Sequence, residues 1–214
     1  MKRLVIFGAG GHAREIHQLV EDINAAGPAW EMVGFVVDAA FHVDRSVHGL
    51  PVLCGTEALI AKPRPYVSVG IGIPAARRQA VGRLQSYGSA AYPCLVHPHA
   101  WVANRATIGE GTVVFAGSLI NCGARVGCHV SVNLGVTISH DCVVEDFASL
   151  GPGVHLAGGV TIGACSDLGT GVSVRPGIRI GADCVVGAGA VVVADLPAGA
   201  TAYGVPARPV RVRR

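Results

Sequence analysis

From Val96 onward an aliphatic residue recurs at every sixth position without a break: Val96, Val102, Ile108, Val114, Ile120, Val126, Val132, Ile138, Val144, Leu150, Leu156, Ile162, Leu168, Val174, Ile180, Val186 and Val192. An uninterrupted run of this length is far beyond chance, even in an apolar chain. Four positions after each aliphatic comes a second, smaller and uncharged residue, from Ala106, Thr112 and Ser118 through Cys142, Ala148 and Ser166 to Cys184 and Ala190. Both sets must point into a narrow interior. Three hexads per turn then make a triangular prism whose faces are short parallel strands stacked at β spacing. Turns such as Gly109-Glu110-Gly111 and Gly181-Ala182-Asp183 carry the residue types that supply positive φ at corners.

Residues 1–94 follow a different grammar. Residues 4–11 predict a buried strand entering a glycine turn, 12–25 a helix, 32–38 and 66–72 two further strands, and 75–88 a helix with a glycine stop. The expected fold class is therefore mainly β: a parallel β-helix over 95–214 behind a small Rossmann-like α/β domain over 1–94, the two meeting near Pro93 to Pro98.

Composition narrows the classes. With 50% hydrophobic and 14% charged residues among 214, disorder is excluded. The net charge is only +3, part of it in the tail arginines Arg208, Arg211, Arg213 and Arg214, so no nucleic-acid surface is indicated. The apolar run at the start reaches glycine after four residues, too soon for a signal or membrane segment, and a cytoplasmic protein is expected. Cys54, Cys94, Cys122, Cys128, Cys142, Cys165 and Cys184 form no CxxC pair and are odd in number, which predicts free, mostly buried thiols rather than a disulfide framework or zinc knuckle.

Two constellations carry chemistry. Gly8-Ala9-Gly10-Gly11-His12-Ala13 satisfies G-x-G-x-x-[GA] between a strand and a helix, where backbone N–H groups and the helix dipole can hold a phosphate. A turn needed only for tight packing reads the same way. Asp38 closes the second strand, where a carboxylate can accept hydrogen bonds from a ribose. His12 either joins that site or caps the helix.

The second constellation is His140 in Ile138-Ser139-His140-Asp141. It falls outside both inward slots, so its ring faces solvent or a neighbouring subunit. Acyl transfer to an amine or hydroxyl needs a base near neutrality, which an imidazole supplies, and a carboxylate fixes its tautomer. Asp141 is adjacent, with Glu145 and Asp146 as alternatives. His129 and His155 also avoid the inward slots and read as surface histidines, His97 and His99 belong to the junction, and His42 and His48 to a loop. No three-histidine set can be assembled, so zinc is not expected.

VIFGAGGHAREI, GFVVD, VGIGIPAARRQ, LVHPHA, SHDCVVEDF and YGVPARPV together resemble the sugar acetyltransferases grouped with sialic acid O-acetyltransferase, among them the bacterial nucleotide-linked 4-amino-sugar N-acetyltransferases. The resemblance covers nearly the whole chain. It implies a left-handed coil, against the usual crossover rule. It places the nucleotide of a nucleotide sugar at Gly10, Gly11, His12 and Asp38, with Gly72 and Arg77 beside them and Asn133 near the sugar amine. His140 becomes the general base. Acetyl-CoA, the co-substrate, lies in a groove between prisms of a homotrimer, with backbone donors near Gly158, a channel at Ala188, Gly204 and Pro206, and Arg208 and Arg211 toward the phosphates. No metal is implied. Many members carry a second histidine where this chain has Ser149. The implied reaction is direct transfer to an amine, with hydroxyl acetylation or a non-catalytic nucleotide-sugar-binding trimer as alternatives.

Overall fold

A computed structural model describes residues 1–38, 45–55, 59, 64–86, 88 and 91–212. His42, Arg213 and Arg214 lie outside the described residues. The N-terminal part forms one sheet from β1 (Lys2–Phe7), β2 (Trp30–Val37), β3 (Ser46–Val47), β4 (Leu50–Cys54) and β5 (Tyr66–Val69), in the order β3-β4-β2-β1-β5. Helices α1 (Gly11–Ala26) and α2 (Pro74–Ser86) cover it. The pairs β1–β2, β1–β5 and β2–β4 are parallel, as expected of buried strands joined by crossovers. Leu4, Val5, Ile6 and Phe7 are all buried, and they alternate between two cores: Leu4 and Ile6 pack with Ala13, Ile16, Leu19 and Val20 of α1, and Val5 and Phe7 with Ala80, Val81 and Leu84 of α2.

The antiparallel β3–β4 hairpin was not anticipated. Its segment is short and interrupted by Pro51, which lets it pair only where no ladder donor is needed. The strand expected over 66–72 stops at Val69, and the Gly70 N–H makes the last bond of its parallel ladder with β1, to the Phe7 carbonyl at 2.8 Å.

The hexad series becomes a run of two-residue strands, from β6 (Leu95–Val96) to β22 (Val191–Val192), distributed over three parallel faces. Each residue pairs with the one 18 further on, as Val132 does with Leu150. The coil is the left-handed one. From Val114 to Val192 every first-slot aliphatic is at most 3% exposed. Small second-slot polar residues are satisfied by the next coil: the Ser118 hydroxyl donates to Asn133 O at 2.7 Å and accepts from Val136 N at 3.3 Å. A final hairpin, β23 (Ala200–Tyr203) with β24 (Arg208–Val212), extends one face and seats the buried Ala207 over the end of the prism.

Corners recur as regularly as the core. Positive φ falls at every sixth residue from Gly111 to Gly189, and the non-glycine cases are His129, Asp141, Phe147, Cys165 and Asp183. A side chain in this region is strained and persists only where its surroundings hold it. Four of the five lie 18 apart on one edge: His129, Phe147, Cys165 and Asp183.

That edge is where the two parts of the chain meet. His129 stacks on Phe147 with ring centroids 5.1 Å apart, and Tyr92 meets His129 edge-on at 4.7 Å. His129 is therefore buried, not the surface histidine its slot suggested. The N-terminal part covers it and pushes its pKa down to about 4, chiefly by desolvation, with the Arg77 charge adding to the effect. Covering this edge also hides the corner carbonyls of His129 and Phe147, and buried acceptors without donors are costly.

Cysteines follow the slots. Cys142 and Cys184 point inward and Cys165 lies under the joint, all three buried, whereas Cys54, Cys94 and Cys122 are exposed and Cys128 is intermediate. The expectation of mostly buried thiols fails because Cys122 and Cys128 occupy outward corner positions.

Candidate active site

The corner carrying His140 is formed by the hexad turn itself, and Asp141 occupies its left-handed position at φ 58°. Asp141 turns its carboxylate back onto the preceding ring, with His140 Nδ1 2.9 Å from Asp141 Oδ2. An ionised carboxylate can only accept, so Nδ1 is the donor of this bond and Nε2 is the ring nitrogen left without a side-chain partner. Both side chains are exposed, at 62% and 74%. Glu145 and Asp146 serve other purposes, accepting from Ala164 N at 3.0 Å and Cys128 N at 2.8 Å.

Gly158 lies one coil beyond His140, so near that a Cβ there would overlap Nε2. Its neighbours Ala157 and Gly159 donate to Val174 O and His140 O, whereas no backbone acceptor takes the Gly158 N–H among the described residues. A backbone N–H without a backbone acceptor, a ring nitrogen without a side-chain partner and a carboxylate that orients the ring thus share one corner. No group of three or more potential metal ligands occurs among the described residues.

The glycine turn lines a separate cleft of about 550 Å³, walled by Phe7, Gly8, Ala9, Gly10, Val37, Asp38, Gly70 and Ile71 and by Ala76, Gln79 and Arg83 of α2. Gly10 precedes the first residue of α1, Gly11, and no side chain caps this start. Asp38 is ion-paired to Arg83 at 2.9 Å. Arg83 was missed, although Ala76, Gln79 and Arg83 share one helical face at i, i+3 and i+7.

His12 does not line this cleft and is largely buried between α1 and the prism, against Phe115. Its Nδ1 donates to Glu15 Oε2 at 3.1 Å, and its Nε2 faces the Ser131 hydroxyl at 3.4 Å. Burial lowers its pKa, against the opposing effect of the Glu15 hydrogen bond. It bridges α1 to the prism instead of capping the helix.

Arg77, expected beside the nucleotide, is engaged differently. At 3% exposure its guanidinium donates to His129 O (2.9 Å), Ile71 O (2.8 Å), Gly72 O (2.9 Å), Phe147 O (2.9 Å), Ala148 O (3.2 Å) and the Ser149 hydroxyl (3.0 Å). Every N–H of the fork has a protein acceptor. Desolvation brings its pKa down to about 10, so it stays charged at neutral pH. Ser149 in turn donates to Gly72 O at 3.0 Å.

Asn133 lies apart from the glycine cleft, in a small cleft of about 140 Å³ between α1 and the prism, where its Oδ1 accepts from Leu134 N at 2.7 Å. His97 ties the same region together through Asp22, at 3.1 Å. Ala188, Gly204, Pro206, Arg208 and Arg211 gather at the far end of the prism. There Arg208 pairs with Tyr203 and Arg211 with Thr201 across the hairpin, and the Val205–Pro206 bond is cis.

A prism of hexads with an exposed, carboxylate-paired imidazole at one corner defines an acyltransferase of the hexapeptide-repeat class. The family model described as the PglD N-terminal domain matches residues 3–84. The GDP-perosamine N-acetyltransferase of Escherichia coli O157:H7 is 29% identical over 162 residues, 73% of this chain and 71% of the relative. The acetyltransferase domain of PglB from Neisseria gonorrhoeae FA1090, solved with acetyl coenzyme A, is 34% identical over 98% of this chain and 99% of that one, with a TM-score of 0.86. PerB from Caulobacter crescentus, solved with CoA and GDP-perosamine, is 35% identical over 99% and 98%, with a TM-score of 0.88. The chain belongs to the hexapeptide-repeat sugar acetyltransferases that include these enzymes.

Proposed function

We propose that the protein transfers acetyl from acetyl-CoA to the amino group of a nucleotide-linked 4-amino-deoxysugar. The observation that carries this is the His140–Asp141 pair, with Nδ1 anchored at 2.9 Å and Nε2 left free. The amine attacks the thioester carbonyl while Nε2 accepts its proton, and Asp141 stabilises the imidazolium. The Gly158 N–H, which has no backbone acceptor among the described residues, is the donor for charge developing on the carbonyl oxygen in this reading. CoA leaves as the thiol, and no covalent acyl-enzyme forms. The acceptor class rests on relatives named as, or solved with, perosamine N-acetyltransferase and its substrates, at about a third identity.

Residues 1–94 act as the nucleotide-sugar-binding domain, through the Gly10–Asp38 cleft, and 95–214 as the acetyltransferase domain. A base as exposed as His140 has no wall of its own to exclude water, and Trp101 and Leu119, paired on adjacent rungs, are 53% and 45% exposed. Both features favour a homotrimer whose neighbouring prism covers the corner. The Ala188 and Gly204–Arg211 end then borders the CoA groove. No described helix is long and apolar enough to cross a membrane, and a cytoplasmic reaction fits the co-substrate.

The test is acetyl-CoA-dependent thiol release with UDP-, GDP- and dTDP-linked 4-amino-6-deoxysugars, using wild type and His140→Ala. Turnover with one of them, reduced about a hundredfold in the variant, supports the reading. No turnover with any amine, or full activity in the variant, discards it.

A further inference from the structure

Two of the carbonyls held by Arg77 belong to His129 and Phe147, consecutive corners of the same edge. The single turn of chain between them is the one that carries His140 and Asp141. The same guanidinium holds Ile71 O and Gly72 O, and Ile71 is a wall of the glycine cleft. Ser149 closes the loop by donating to Gly72 O while accepting from Arg77. One buried side chain thus grips both ends of the His140 coil and the rim of the nucleotide cleft.

We propose that Arg77 is a positioning residue for acetyl transfer, holding the nucleotide cleft in fixed register with the coil that bears His140. This rests on the function proposed above. Binding energy from a remote nucleotide accelerates a reaction only if it is delivered at the reacting atoms, and an error of about 1 Å in that register is costly. A Lys at this position keeps the charge but has no planar fork to span five carbonyls on two sides. The Ser at position 149 fits the same reading, since a small hydroxyl both accepts from the fork and donates across the joint.

The test compares Arg77→Lys, Arg77→Met and Ser149→Ala with wild type. In Arg77→Lys, kcat for the nucleotide-linked amine is expected to fall about tenfold, and in Arg77→Met about a hundredfold, with Ser149→Ala in between wild type and Lys. Affinities for the plain nucleoside diphosphate and for CoA should stay within about twofold of wild type. A fall in nucleotide affinity with kcat unchanged would make Arg77 a ligand group and overturn the proposal, as would no change in any parameter. Wild type that transfers acetyl to no amine would instead remove the function reading. Amide exchange then decides the positioning claim, which requires Arg77→Lys to raise exchange at 71–73 and at 139–148 together and to leave the coils beyond 168 unchanged. A rise on one side only, or on neither, sinks it.

Discussion

The imidazole of His140 rests on the backbone of Gly158, one coil further along the prism. Gly158 has no left-handed φ, so alanine is conformationally acceptable there, and only the contact with the ring forbids it. Gly158→Ala is therefore expected to swing His140 off its Asp141-anchored position and to lower kcat by roughly ten- to a hundredfold. The melting temperature should hardly move, because no core residue is touched. Loss of stability in parallel with activity would show that Gly158 shapes the corner and not the ring.

Asp141 is the second half of the pair. Asp141→Asn keeps the size and tolerates the left-handed corner, but it can present an amide N–H to Nδ1 and favour the wrong tautomer. A fall in kcat of about tenfold or more, with KM for acetyl-CoA little changed, is the expected result in steady-state kinetics. Equal activity would assign the orienting role elsewhere.

The hexads made the prism legible because six-residue periodicity acts locally: each aliphatic reports its own inward slot, and each corner its own φ. His140 stood out on the same grounds, as a polar ring at a corner. The joint was invisible for the opposite reason. Arg77 reaches carbonyls 52 and 70 residues away, at His129 and Phe147, and nothing near Arg77 in sequence signals that those corners are covered. His129 was misjudged for the same cause, since its slot is outward and only the docked N-terminal part buries it. The β3–β4 hairpin escaped because two short strands around Pro51 carry no period to detect.

Burial of His129 has a consequence for stability. Its folded pKa of about 4 lies below the ordinary value of 6.5, so between those pH values the unfolded chain takes up a proton that the folded one refuses. Stability is complete above about 6.5 and declines as pH falls toward 4, by at most about 1.4 kcal/mol per pH unit from this group. The lowered pKa of His12 acts in the same direction. Thermal melts at pH 7.5, 6 and 5 should show the decline in wild type. In His129→Asn, which tolerates the corner, the slope should shrink even though the absolute stability is lower. An unchanged slope would assign the acid sensitivity to other groups.

The second inward slot gives a last prediction. In most coils its backbone N–H closes a tight turn onto the carbonyl three residues back, as for Ala124, Ala148, Val154, Val172 and Ala190 at 3.2–3.4 Å. Where the slot one coil earlier holds a hydroxyl, that hydroxyl takes the N–H instead: Cys184 N donates to Ser166 Oγ at 3.1 Å, and Ser166 donates on to Gly181 O at 2.7 Å. Removing the hydroxyl would ordinarily strand two buried groups at about 1–3 kcal/mol each. Here they are each other's partners in the alternative turn, because Gly181 O is the carbonyl three residues before Cys184. Ser166→Ala is therefore expected to cost only about 1 kcal/mol, the small cavity included. Denaturant unfolding should show a lower midpoint with an unchanged m-value. A cost of about 3 kcal/mol or more would mean that the coil cannot relax into the turn its neighbours use.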